Sequence, residues 1–271
     1  MAEFVYKDTV VYYERAGSGM PLLALHGWGM DRRIMSGCME PVFDTLDGFE
    51  RIYADLPGMG RSKAGFVRNS DDMLTVLSAF VADVIGGRPF LLMGESYGGL
   101  LARGIVSAMP DMVAGMILLC PLMIPGFRKG KTVPLCVQKR DDAFLKTLTP
   151  EQYASFTFLN VVLTESVWKR YDRDITDAIK NQDRNFLDNM LDGAFSFDVD
   201  AEQGVYKKPV LILTGRQDTE VGFEDQLRFL TQYPHSTYIA VDCAGHNMQL
   251  EQPEIFHGVV RGWLQSAFLN K

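Results

Sequence analysis

The stretch that most constrains this chain is Pro89 to Met109, PFLLMGESYGGLLARGIVSAM. Four apolar residues, Phe90 to Met93, show no polar alternation, as expected of a parallel strand buried on both faces. Helix-like spacing begins at Leu100, and between the two stands Gly94-Glu95-Ser96-Tyr97-Gly98-Gly99, a G-x-S-x-G nucleophile-elbow pattern. A serine on so sharp a turn sits in strained backbone geometry, and side chains two residues either side would collide with neighbouring chain. Gly94 and Gly98 remove those collisions, and Gly99 lets the following helix pack close. Ser96 is thereby raised to where a base and a substrate carbonyl can both reach it. The helix N-terminus behind it offers free N–H groups and a positive dipole end to a developing oxyanion. A bare G-x-S-x-G also occurs in ordinary glycine-rich turns, so the surrounding chain must decide.

Composition narrows the classes first. A chain of 271 residues with 47% hydrophobic content can bury the core of one large domain, or of one domain plus an insertion. Net charge is −7, from 27 basic and 34 acidic residues with no basic cluster, which argues against nucleic acid or an anionic membrane as partner. The N-terminus carries no basic segment followed by a long apolar one, and no stretch approaches a membrane span. The expectation is a soluble, cytoplasmic protein, monomer or homodimer, acting on a small molecule. Cys38, Cys120, Cys136 and Cys243 show no C-x-x-C or framework spacing, so reduced thiols are expected, with Cys243 buried and inert.

Along the chain, Glu3–Tyr6 and Thr9–Arg15 read as strands joined at Lys7-Asp8, and Pro21–Leu25 as a buried strand running into His26-Gly27-Trp28-Gly29. This H-G-x-G, just past a strand and upstream of the elbow, suits half of an oxyanion hole. The Trp28 amide is one expected donor and the Tyr97 amide, next after the nucleophile, the other. Such a donor contributes ~3 kcal/mol to transition-state stabilisation. His26 reads as a brace for that loop rather than a base. Arg51–Ala54 is a strand leading into Asp55-Leu56-Pro57-Gly58-Met59-Gly60-Arg61-Ser62, a rigid scaffold loop with a local Asp–Arg pair. Asp71–Ile85 has helical apolar spacing and stops at Gly86-Gly87, and Met116–Cys120 is another buried strand.

The rhythm then changes. From Leu122 to Tyr206 no strand is evident and helical segments dominate. Thr149-Pro150-Glu151 is a helix start, and Phe156, Phe158, Leu159, Trp168 and Tyr171 belong to a dense apolar set. The segment reads as a helical cap (residues 122–206) between two parts of a core (1–121 and 207–271). The core resumes with strands at Val210–Leu213 and Ser236–Val241. These are followed by Asp218 and His246 respectively, and an amphipathic helix closes the chain from Pro253 to Phe268.

Ser96, Asp218 and His246 thus fall in the order nucleophile, acid, base, each at the end of an expected strand. In an open parallel sheet those ends share one edge. His246 would take the Ser96 proton, and Asp218 would orient and stabilise the imidazole. Of four histidines, His235 precedes a strand, His257 lies in the last helix and His26 belongs to the oxyanion loop, which leaves His246. Glu220 and Asp242 are the fallback acids.

Taken together, His26-Gly-Trp-Gly, Asp55-Leu-Pro-Gly-Met-Gly-Arg-Ser, Gly94-Glu-Ser-Tyr-Gly-Gly, Gly215-Arg-Gln-Asp and Gly245-His-Asn-Met-Gln-Leu-Glu-Gln-Pro resemble the motifs of the α/β-hydrolase superfamily, in its order and over nearly the whole chain. The resemblance implies a mostly parallel sheet of about eight strands flanked by helices, a helical cap inserted after the sixth, and no cofactor or metal. It supports Ser96, Asp218 and His246 as the triad and the Trp28 and Tyr97 amides as oxyanion hole. A serine at the elbow argues against the family's dehalogenases and epoxide hydrolases, which use an aspartate there. Met59 stands where relatives often carry histidine or an aromatic, a change at the pocket edge.

The expected activity is hydrolysis of a small or medium carboxylic ester through an acyl-enzyme. A prolyl-aminopeptidase-like activity would need carboxylates to hold a free amine, for which Glu165, Asp188, Asp192 and Asp198 of the cap are candidates, although charged cap residues normally face water. A carbon–carbon bond hydrolase is disfavoured by Asn247-Met248-Gln249 after the histidine, where such relatives often place a tryptophan. A non-catalytic receptor on the same scaffold and an acyltransferase are further alternatives.

Overall fold

Burial along the strands explains the architecture. In the computed structural model, which describes residues 1–126, 132–190 and 194–269, eight strands form one sheet. They are β1 (Ala2–Tyr6), β2 (Thr9–Gly17), β3 (Met20–Leu25), β4 (Phe49–Ala54), β5 (Phe90–Glu95), β6 (Val113–Leu119), β7 (Val210–Gly215) and β8 (Ser236–Val241), in the order β1-β2-β4-β3-β5-β6-β7-β8. β2 pairs antiparallel with β1 and β4, and every other pairing is parallel. The central strands lack polar alternation because both their faces are covered. Leu23, Leu25, Phe90, Leu92, Val210 and Ile212 point into one core, and Leu22, Ala24, Leu91, Met93, Leu211 and Leu213 into a second core on the opposite face.

Helix α1 (Arg33–Phe43) and the final helix (Pro253–Leu264) cover the second face, where they pack on each other. Helices α2 (Ser70–Phe80) and α3 (Tyr97–Ala108) cover the first. The helical spacing of Asp71–Ile85 is realised as α2 plus a wider π turn at Val81–Ile85, stopped by Gly86 in the left-handed region at φ 69°. No helix of the described residues is long and apolar enough to cross a membrane.

After β6 the chain leaves the sheet for a mainly helical insertion. Helix α4 (Pro150–Thr157) begins with a capping box between Thr149 and Gln152 and a proline in its first turn. Helix α5 (Glu165–Tyr171) follows, and Trp168 and Tyr171 pack on Phe156 of α4 at ring-centroid distances of 5.3 and 5.4 Å. The expectation of no strand in this segment is corrected: Lys139–Arg140 and Val162–Leu163 pair in parallel as a two-residue ribbon, too short to leave a periodicity in the sequence.

Candidate active site

The strand order reverses direction around β3 and β5, so the loops leaving their C-terminal ends diverge and open a crevice there. The elbow after β5 holds Ser96 at φ 52° and ψ −116°. The glycines around it are there for space. A Cβ on Gly94 would lie 2.2 Å from the Gly98 carbonyl oxygen, and one on Gly98 would lie 2.3 Å from that of Leu25. A Cβ on Gly99 would meet Pro121 at 2.7 Å, just past β6.

Two loops converge on this turn. His26, fully buried, donates from Nδ1 to the Gly27 carbonyl at 2.8 Å, and its Nε2 accepts the Leu56 N–H at 2.9 Å. Burial pushes His26 below its ordinary pKa, which keeps it neutral and able to accept. It therefore ties the loop after β3 to the loop after β4. The Trp28 ring meets the Tyr97 ring edge to face at 5.0 Å, and the Tyr97 hydroxyl bonds Ser70 Oγ at 2.8 Å. Both candidate oxyanion amides thus belong to residues whose side chains are locked together, and neither N–H has an acceptor among the described residues. The Asp–Arg pair expected within the Asp55 loop is different in kind. Asp55 takes the backbone N–H of Arg61 at 3.0 Å, but its guanidinium partner is Arg32, at 3.2 Å. The Arg61 guanidinium lies over the Tyr12 ring instead.

At the other end of the sheet, Asp218 follows β7 and His246 follows β8. Asp218 Oδ1 accepts the N–H groups of Glu220 and Val221 at 2.8 and 3.0 Å, which leaves Oδ2 to take the His246 Nδ1 proton at 2.9 Å. That bond fixes the tautomer in which Nε2 is free. Ser96 and His246 line one cavity of about 530 Å³, although no hydrogen bond joins Ser96 Oγ to the imidazole. Burial alone would push His246 down, yet the Asp218 carboxylate, with Glu95 and Glu220, raises it to about 9. Of the fallback acids, Glu220 lines the cavity, while Asp242 accepts from Gln217 at 2.9 Å.

The His246 loop is bolted to the insertion. Glu251 Oε2 accepts the Gly245 N–H at 2.5 Å, and Oε1 accepts those of Val161 and Val162 at 2.5 and 3.0 Å. Asn247 adds a bond to Asn160 at 3.1 Å, and Arg170 donates to the Leu250 carbonyl at 2.8 Å. Sequence reading did not single out Glu251, because its role depends on two amides 90 residues upstream.

The insertion supplies Leu159, Tyr171, Ile175 and Ile179 to the cavity wall, whereas Phe156 and Trp168 are buried in the core. Of the cap carboxylates considered for amine binding, Glu165 pairs with Lys169 at 2.8 Å and Asp198 caps the helix Val199–Gln203. Neither they nor Asp188 line the cavity, and Asp192 lies outside the described residues. Among the described residues the cavity's carboxylates are Glu95 and Glu220.

Among the described residues, one group of ligand-type side chains could share a metal ion, Cys120, Asp218 and His246, with donor atoms within 4.8 Å of one another. It fits a metal poorly, because Asp218 already accepts from two amides and from His246 Nδ1, and an ion between them would displace the bond that joins the two side chains. Cys243 is half-buried, not buried as expected, since its Asp242–Cys243 turn lies at the open end of β8.

Comparison with known proteins agrees with the fold. The sequence profile described as alpha/beta hydrolase fold matches residues 20–253. The chain is 26% identical over 265 residues to a pimeloyl-acyl-carrier-protein methyl ester esterase of Nitrosomonas europaea, covering 91% of this chain and 96% of that one. It is 24% identical over 268 residues to an (E)-2-((N-methylformamido)methylene)succinate hydrolase of Acinetobacter baylyi, covering 96% and 95%. An alpha/beta superfamily hydrolase of known structure from Oenococcus oeni superposes with a TM-score of 0.87 at 29% identity, over 98% of both chains.

Proposed function

The chain belongs to the α/β-hydrolase family, and from that premise we propose that it is a serine hydrolase cleaving a small-molecule carboxylic ester through Ser96, His246 and Asp218. The observation that carries the reading is the convergence in one cavity of a serine on a strained elbow and a histidine whose Nδ1 is held by a saturated aspartate. His246 Nε2 takes the Ser96 Oγ proton as Oγ attacks the ester carbonyl, and the N–H groups of Trp28 and Tyr97 receive the oxyanion. Collapse of the tetrahedral intermediate releases the alcohol, which leaves with the proton from His246. Water then attacks the acyl-enzyme with His246 again as base. The apolar wall from the insertion favours an acyl or alcohol group with hydrocarbon to bury, and the esterase among the relatives supports ester over other acyl substrates.

The test is turnover of 4-nitrophenyl esters from acetate to octanoate by wild type and Ser96→Ala. The wild type should turn over at least one, with a chain-length optimum set by the cavity. Ser96→Ala should lose on the order of 10⁴–10⁶-fold in kcat while keeping its circular-dichroism spectrum. Near-normal turnover by the variant would remove Ser96 from the mechanism.

A further inference from the structure

The residue before the nucleophile has no place in that mechanism, yet it is an acid buried at the reacting centre. Glu95 is 2% exposed and lines the cavity that holds Ser96 and His246. Its Oε1 stands 3.7 Å from His246 Nε2, too long for a hydrogen bond, and its Oε2 is buried against the Gly27 backbone, whose N–H favours the ionised carboxyl without closing a well-formed hydrogen bond. Room for that oxygen is made by the oxyanion loop. A Cβ added to Gly27 would fall 2.3 Å from Glu95 Oε2 and 3.1 Å from Ser96 Cβ, so the carboxyl end and the nucleophile flank the same small space.

A buried carboxyl with so little donor support is under-satisfied in the free enzyme, and a ligand that donates to it relieves that deficit. Charge narrows the class of donor. Asp218, Glu95 and Glu220 surround one imidazole, while among the described residues the arginine of the lining, Arg184, is exposed on the surface of the insertion. Apart from the Trp28 and Tyr97 N–H groups that face the oxyanion, the inner end of the cavity is therefore suited to a cation or N–H donor. Geometry limits where the donor sits. Glu95 Oε2 and Ser96 Cβ lie 2.3 and 3.1 Å from one point beside Gly27, so a group that reaches the carboxyl from an acyl chain on Ser96 is a short one, borne close to the scissile carbonyl.

Building on the serine-hydrolase reading, we propose that Glu95 is a specificity-determining residue that binds an amino group on the acyl carbon adjacent to the carbonyl under attack, making α-amino acyl compounds the preferred substrate class. Binding there has a catalytic corollary. Burial raises Glu95 to about 7, so around neutrality it sits between charge states, and when ionised it holds His246 up. An ammonium paired with Glu95 cancels that field and releases His246 toward its neutral, proton-accepting form at the moment a substrate is present.

The test compares two esters of matched shape, alanine 4-nitrophenyl ester and 4-nitrophenyl isobutyrate, in which an amino group replaces a methyl. Wild type, Glu95→Gln and Glu95→Met are assayed, with active sites counted by a fluorophosphonate that labels Ser96. The wild type should favour the alanine ester at least tenfold in kcat/KM, and the ratio should fall to within about threefold of one in both variants. Equal use of the two esters by wild type, preference for the isobutyrate, or no turnover of the alanine ester overturns the proposal. So does a preference that survives in the variants, which would mean that another group reads the amine. Failure of the fluorophosphonate to label wild-type Ser96 would instead locate the fault in the underlying serine-hydrolase reading.

Discussion

Ser96 sits at φ 52° and ψ −116°, a backbone region suited to glycine, and any β-carbon there costs on the order of 1–3 kcal/mol. Removing the hydroxyl and removing the strain are separable. Ser96→Ala keeps the Cβ, whereas Ser96→Gly loses it, at an entropic cost in the unfolded chain of about 0.5–1 kcal/mol. The glycine variant should therefore be the more stable of two inactive proteins, by about 1 kcal/mol in urea unfolding. Equal midpoints, or a more stable alanine variant, would mean that the elbow is not strained. At this scale much of the candidate site was legible. Ser96, Asp218 and His246 each follow a strand that stands out by its unbroken apolar run or its place in the order of motifs, and the strand fixes where the next residue must be. Glu95 enters the sequence reading only as the variable position between Gly94 and Ser96. What makes it notable, a carboxyl with Oε2 against Gly27 and Oε1 toward His246, arises from loops after β3 and β8, and no local pattern encodes it.

Between elements, Glu251 couples the base's loop to the insertion through three amides on two separate segments. Both oxygens act as acceptors, a pattern that only a carboxylate satisfies. Glu251→Gln turns one oxygen into an amide nitrogen facing an N–H, which should cost about 1–3 kcal/mol of stability. If the link positions His246, kcat and the rate of fluorophosphonate labelling should fall together by roughly tenfold, with KM affected less. Unchanged labelling in a destabilised variant would make Glu251 a structural bolt only. The elements themselves were legible in proportion to their regularity. All eight core strands were foreseen within a few residues, but helix α1 was not. Its buried residues, Ile34, Met35, Cys38, Met39, Val42 and Phe43, do recur at helical spacing, yet Gly37 and Pro41 interrupt the run and argue locally against a helix. Packing decides otherwise: a Cβ on Gly37 would lie 2.4 Å from Asp174 of the insertion, so the glycine is required by the neighbour and not by the helix.

Over the whole molecule, the groups whose pKa values are displaced set stability and activity moving in opposite directions with pH. His246, drawn up to about 9 against burial by the carboxylates around it, adds stability that is complete below its unfolded value of 6.5 and is lost as pH rises toward 9. Glu95 and Glu251, raised by burial to about 7, add stability at acidic pH that is lost as pH rises through 7. His26 and His257 act the other way, since burial lowers both, and their effect is confined to pH below 6.5, where the unfolded chain takes up the protons they refuse. Asp31 and Glu40 are depressed despite burial, held down by Arg33 and Arg51, and matter only in the acid range. From pH 6.5 to 9 the shifts that titrate therefore point in one direction, and the melting temperature should fall across that window. With His246 as the proposed base, turnover requires its neutral form and should rise across the same window, with its acid limb above the ordinary histidine value. His246→Gln removes the main titrating group, so its melting temperature should be flatter between pH 6.5 and 9 than that of wild type. A wild-type melting temperature that is level or rising there would show that the carboxylates do not hold His246 up, because the protonated imidazole would then have nothing to lose. The opposition follows from building a base among three acids: the field that holds a proton on His246 in the folded site is the one that rising pH must overcome before the imidazole can accept another.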